Sequence, residues 1–293
     1  MKSERVQIGF LTLFVLIQIF LLVWQIKPWV NFSELSLPEV NLSFRFSMLP
    51  LKLHQPAIGG TRFPPSQSYF QILQTLEKNQ ERKSRLYRRS GRAETKKRLV
   101  KESRAYLLNI LSREIFPAWY GTPWAFSGQT DQPGRGAIAC GIFVSTVLKQ
   151  LGFSLDRIRL GIQPSRYIIT NLVGAENISF LSGCSLQAIK TEILRQGKNL
   201  YIVGLDKHTG FIFYDGCQPP YFIHSSGQAG QVIKEPVENS ETLKKSRYCI
   251  LAPAFTDKMI ENWLTKTYLS ITTDYYQGRS LTKIRSRRGK KYG

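Results

Sequence analysis

Hydrophobic positions change their spacing several times along the chain. Residues 8–26 (IGFLTLFVLIQIFLLVWQI) carry no charge over 19 positions. At 1.5 Å per helical residue this run is long enough to cross a hydrocarbon layer of about 30 Å, so it predicts a transmembrane helix. Pro28, Pro38, Pro50, Pro56, Pro64 and Pro65, with Gly59 and Gly60, then read as a linker. Inside it, Val40, Leu42, Phe44 and Phe46 alternate with polar residues, as in a single strand. Tyr69, Ile72, Leu73 and Leu76 fall at helical spacing. So do Leu107, Leu108, Ile110, Leu111 and Ile115, a set that Pro117 ends. Two helices are expected, separated by a charged stretch containing Gly91.

From Tyr120 to Gly136 the composition turns to Gly, Trp, Pro and Ser, which is loop chemistry. A helix over 140–151 follows, because Cys140, Phe143, Val144, Val147, Leu148 and Leu151 share one face and Gly152 stops it. Short apolar runs at 200–205, 209–214, 221–224, 231–234 and 248–251, parted by turn residues, predict an antiparallel sheet. Residues 259–268 predict a closing helix. The fold class is therefore α+β. The expected organisation is a cytoplasmic stub and anchor over 1–27, a linker over 28–66, a basic helical segment over 67–104, a catalytic domain over 105–270 and a basic tail over 271–293.

Charge refines this picture. The chain of 293 residues carries a net charge of +21, but residues 78–104 hold twelve Lys/Arg against three Glu, and residues 279–291 hold seven with no acid. The rest of the chain is ordinary in charge. Basic runs are usually solvated faces, and anionic lipid or wall polymers are the partners they suit. Nucleic acid is disfavoured, since no base-stacking module accompanies the charge. Lys2 and Arg5 precede the apolar run against Glu4 alone, whereas Lys27 and Arg45 after it are balanced by Glu34 and Glu39. That asymmetry puts the N-terminus in the cytoplasm and the domain on the extracytoplasmic side of a single-pass membrane protein.

Cys140 is the candidate nucleophile, since the amides of a helix N-terminus favour thiolate over thiol. Gly141 beside it is expected to leave room for substrate. His208 heads a predicted strand and is placed to act as base, and His224, one strand later, to orient it. Trp119, Trp124 and Phe126 are candidates for a pocket wall. Asp206 and Asp215 fall at turns, where Asp bonds its own backbone, and are left out of the catalytic set. With three His and four Cys at unsuitable spacing, no metal or other cofactor is expected.

Four motifs in order carry a resemblance. They are Gly121-Thr122-Pro123-Trp124-Ala125-Phe126-Ser127-Gly128, then Ala139-Cys140-Gly141 running to Leu151-Gly152, then His208-Thr209-Gly210-Phe211, then Ile223-His224-Ser225. Together they resemble the NlpC-type cysteine peptidases, papain-like hydrolases of bacterial cell-wall peptides. The resemblance implies a papain-like fold, Cys140, His208 and His224 as the catalytic set, and a peptide-like substrate. The family's usual Asp and Ser around the nucleophile are here Ala139 and Gly141, and Trp124 replaces a usual Tyr, so the chain is closer to a branch with an Ile-Ala-Cys-Gly core. The expected activity is hydrolysis of an amide through a thioester intermediate. Acyl or amide transfer on the same fold, or wall binding without turnover, are the rival classes.

Overall fold

The computed structural model describes residues 67–183 and 185–273. The apolar run 8–26, the linker with its expected strand, Cys184 and the basic tail from 274 lie outside these residues. Among the described residues, no helix is long and apolar enough to cross a membrane.

Helix α1 (Gln67–Arg89) and helix α2 (Ala93–Ile110) form a hairpin broken only at residues 90–92. The two helices are separated within the charged stretch that contains Gly91, at residues 90–92, and the charged residues on either side are themselves helical. Lys, Arg and Glu are good helix formers, so a run of charge changes which face is wet without ending the helix. Leu76, Leu99, Val100, Leu107 and Leu108 turn inward. The boundary expected between 104 and 105 falls inside α2. After α2 the chain makes a π-helical turn (Leu111–Ile115) and continues into the short α3 (Phe116–Trp119). Pro117 sits in the first turn of α3, directly after the π-helical turn, and the chain stays helical where a stop was expected.

Helix α4 (Cys140–Gln150) is followed by α5 (Arg157–Gly161) and α6 (Ser165–Val173). The strands are β1 (Ser179–Ser182), β2 (Asn199–Leu205), β3 (Thr209–Tyr214), β4 (Tyr221–Ser226), β5 (Gln231–Pro236) and β6 (Tyr248–Pro253). They make one sheet in the order β1-β6-β2-β3-β4-β5, with every neighbouring pair antiparallel. Helix α7 (Leu186–Gln196) precedes β2, α8 (Glu241–Lys244) precedes β6, and α9 (Asp257–Thr265) closes the described chain. The fold is α+β.

Both faces of the sheet are covered, which explains why β2 reads as an unbroken apolar run. Leu200 and Ile202 join the core under α4 and α9, while Tyr201, Val203 and Leu205 join a second core with Ile189 and Ile193 of α7. On the first face, Phe143 of α4 meets Phe211 and Trp119 at ring separations of 5.9 and 5.7 Å. Helix α1 is tied to this core. Gln80 Nε2 donates to the carbonyls of Gly152 and Trp263, both at 2.9 Å, and Ser84 donates to Leu264.

Candidate active site

Cys140 opens α4, with Ala139 as its cap in an extended conformation. Three contacts hold this entry. Ser225 Oγ donates to the Ile138 carbonyl at 2.7 Å, Ala139 N–H to Gly128 at 2.9 Å, and Ile138 N–H to Pro123 at 2.9 Å. Ser225, which follows His224 on β4, thus pins the turn that leads into Cys140. Below it α4 presses closely on α5. A Cβ at Gly141 would lie 2.1 Å from the Gly161 carbonyl oxygen, and one at Gly161 2.8 Å from the Ile142 Cα. Gly141 borders the cavity at Cys140, and the packing of α4 on α5 already leaves no room for a side chain there.

His208 stands one residue before β3 and His224 lies within β4. Phe222 and His224, two apart on one strand, share the face toward the second core and stack at 4.0 Å. Gly210 exists to admit them, since a Cβ there would sit 2.7 Å from both His224 Cβ and the Phe222 ring. At the head of β3 the chain turns, so His208 borders two cavities. It lines one with Cys140 and another with His224.

The histidines are in direct contact, His208 Nε2 to His224 Nδ1 at 2.7 Å. His224 is fully buried, and its Nε2 faces Glu235 Oε1 at 3.3 Å. Ser240 Oγ donates to the same carboxylate oxygen at 2.5 Å. Burial pushes the Glu235 carboxyl up, but the hydrogen bonds from His224 and Ser240 and the attraction of His224 together hold it below its ordinary value. The tautomers follow in order. Ionised Glu235 only accepts, so His224 Nε2 carries the proton. In the neutral form of His224, Nδ1 then accepts, so His208 Nε2 donates. That leaves His208 Nδ1 as a bare lone pair, the form a base for the Cys140 thiol requires.

Charge at the pair is set by burial. The Cys140 thiol is pushed above its ordinary value by burial, against the opposing pull of hydrogen bonds from the backbone amides of Thr209, Gly141 and Cys140 itself. The helix terminus therefore acts in the expected direction but is outweighed. His208 is lowered to about 3 by burial and by its neighbour His224. Taken singly, both shifts favour the neutral forms.

The cavity at Cys140 measures about 650 Å³ and is bordered by Trp124, Phe126, Ile162 and Gln163. Trp124 lies against Gly227, where a Cβ would come within 3.2 Å of its ring. Phe126 projects into solvent at the rim. Trp119 is fully buried, donating from Nε1 to Gln150 Oε1 at 3.1 Å, and belongs to the core, not to a pocket wall. Asp215 accepts from the amides of Cys217 and Gln218, the turn role its position suggested. Asp206 is bonded to Ser246. Among the described residues no group of His, Cys, Asp or Glu is arranged to hold a metal ion.

Comparison with known protein families, curated proteins and solved structures finds no match. The site stands on its own geometry. Glu235 and Ser240 were not singled out in the sequence. The signal that leads to Glu235 is register: His224 pairs with Ile233, which makes Glu235 its diagonal neighbour two places along β5.

Proposed function

We propose that this chain is a papain-like thiol hydrolase that cleaves an amide bond through a thioester intermediate. Cys140 Sγ attacks the carbonyl, His208 Nδ1 takes the thiol proton and delivers it to the departing amine, and water then releases the acid in a second pass through the same groups. His224 holds His208 in the Nε2–H tautomer, and Glu235 holds His224. The backbone N–H of Cys140 is one donor for the oxyanion. No cofactor takes part in these steps. The uncharged run 8–26 supports attachment to a membrane with the domain on the extracytoplasmic side, and the resemblance in the four motifs supports a peptide-like substrate, including wall peptides.

The observation that carries the reading is the chain of contacts from Glu235 through His224 to His208, whose last member lines one cavity with Cys140. The test is to incubate the protein with wall fragments and a panel of amides and esters, and to seek acylated Cys140 by intact mass. Turnover lost in Cys140→Ser supports the reading, and turnover retained there removes it.

A further inference from the structure

The cavity holding Cys140 does not end at His208. It meets a second cavity of about 600 Å³, and the two share the wall from Leu205 to His208 together with Gly227. Their linings differ in character. On the cysteine side stand Trp124, Phe126 and Ile162, the last two exposed by 89% and 66%. Apolar side chains left this open beside a nucleophile gain by covering an apolar group. On the far side of His208 the wall adds two cations, Lys245 and Arg247, to Lys207 and Asp206, which border both cavities. Asp206 is held ionised chiefly by its bond from Ser246 and also by the charge of Arg247. Lys245 has only a solvent-exposed Glu241 at 4.0 Å. Lys207 is exposed and joined to no carboxylate by a salt bridge among the described residues.

The order of these regions matches the order of atoms in a thiol-dependent cleavage. The acyl group stays on the sulfur, so it occupies the cysteine side. The leaving group takes its proton from His208, so it departs toward the histidine side. We infer that the substrate is an amide whose acyl part is apolar and whose leaving amine carries an anionic group, phosphate or carboxylate, seated at Lys207, Lys245 and Arg247. The inference rests on the hydrolase reading. The balance is that of hydrolysis: the C–N bond breaks, the Cys140 proton goes to the amine by way of His208, and water supplies the hydroxyl of the acid and restores the thiol proton.

Four amides separate the parts: N-octanoyl-O-phosphoethanolamine, N-octanoyl-aspartate, N-octanoyl-ethanolamine and N-acetyl-O-phosphoethanolamine, with the freed amine measured. One of the two anionic octanoyl amides should exceed both the neutral and the acetyl compound in kcat/KM by at least about tenfold, and which of the two leads identifies the anion. Lys207→Glu with Arg247→Glu should abolish the gap between anionic and neutral amides, read as the ratio of their kcat/KM values. Phe126→Ser should narrow the gap between octanoyl and acetyl. Equal rates across the four compounds, or preference for the neutral or acetyl one, would overturn the inference while leaving the hydrolase reading intact. If none is cleaved, octyl phosphate titrated calorimetrically into the full-length Cys140→Ala protein decides. Binding at least about tenfold tighter than ethyl phosphate and than octanol, weakened by Lys207→Glu, upholds the two-sided site. No such difference overturns it.

Discussion

The two faces of the sheet hold the groups of the proposed site by different means. On the face under α4, Cys140 is placed by packing: Gly141 and Gly161 bring two helices into backbone contact, and Phe143, Phe211 and Trp119 lock the helix above the sheet. On the opposite face, His224 is placed by hydrogen bonds running to Glu235 and Ser240. His208, at the head of β3, is where the two systems meet. Packing fixes position at the cost of tolerance to volume, whereas a hydrogen-bond chain fixes protonation as well as position. Damage to the first should appear as lost stability, and damage to the second as lost rate in a folded protein.

The largest effect belongs to the junction. His208→Ala removes the base and should lower turnover by about a thousandfold or more with the fold retained. His224→Ala should cost less, on the order of a hundredfold, because it frees the His208 tautomer without removing the ring. The double variant should be no worse than His208→Ala, and His224→Asn should recover part of the loss. On the packed face, Gly141→Ala must push the Gly161 carbonyl away, and a loss of about 1–3 kcal/mol in urea unfolding is expected. Unchanged stability there would mean that α4 and α5 are not in contact. Glu235→Gln keeps an acceptor for His224 but discards its charge, so a rate loss of about tenfold with unchanged stability is expected.

The smallest effect is one of pH. Below about 6.5 the unfolded chain binds a proton at His208 that the folded protein refuses until about 3. Unfolding therefore takes up protons in that window, and stability should fall as pH drops through it. Urea midpoints measured from neutral pH to about 4 should decline less steeply in His208→Gln than in the parent. Equal slopes would show that His208 is not buried in its neutral form.

How much of this was legible in the sequence divides along the same line. The packed face was legible, because the spacing of Phe143, Val144, Val147 and Leu148 announces a buried helix with Cys140 at its head. The strands around both histidines were legible as well, since turn residues bracket them; β3 spans Thr209–Tyr214 as expected. The segment between α4 and β2 was not, because α5 has five residues, too few for a period to register. Glu235 was hidden for another reason. It lies eleven residues from His224, and only the β4–β5 register, with His224 opposite Ile233, brings the two together. The burial that raises the Cys140 thiol comes from distant elements, which composition and spacing near the cysteine do not express.

The most direct test is the dependence of one thiol's reactivity on one imidazole. Iodoacetamide applied near neutral pH to the parent and to His208→Ala, with sites resolved by mass spectrometry, compares half-buried Cys140 with exposed Cys217 in the same molecule. Because burial raises its thiol, Cys140 is expected to depend on His208 for whatever reactivity it has, slowing by about tenfold or more in His208→Ala while Cys217 keeps its rate. Cys140 inert in the parent, or reacting at the same rate with and without His208, would contradict the account.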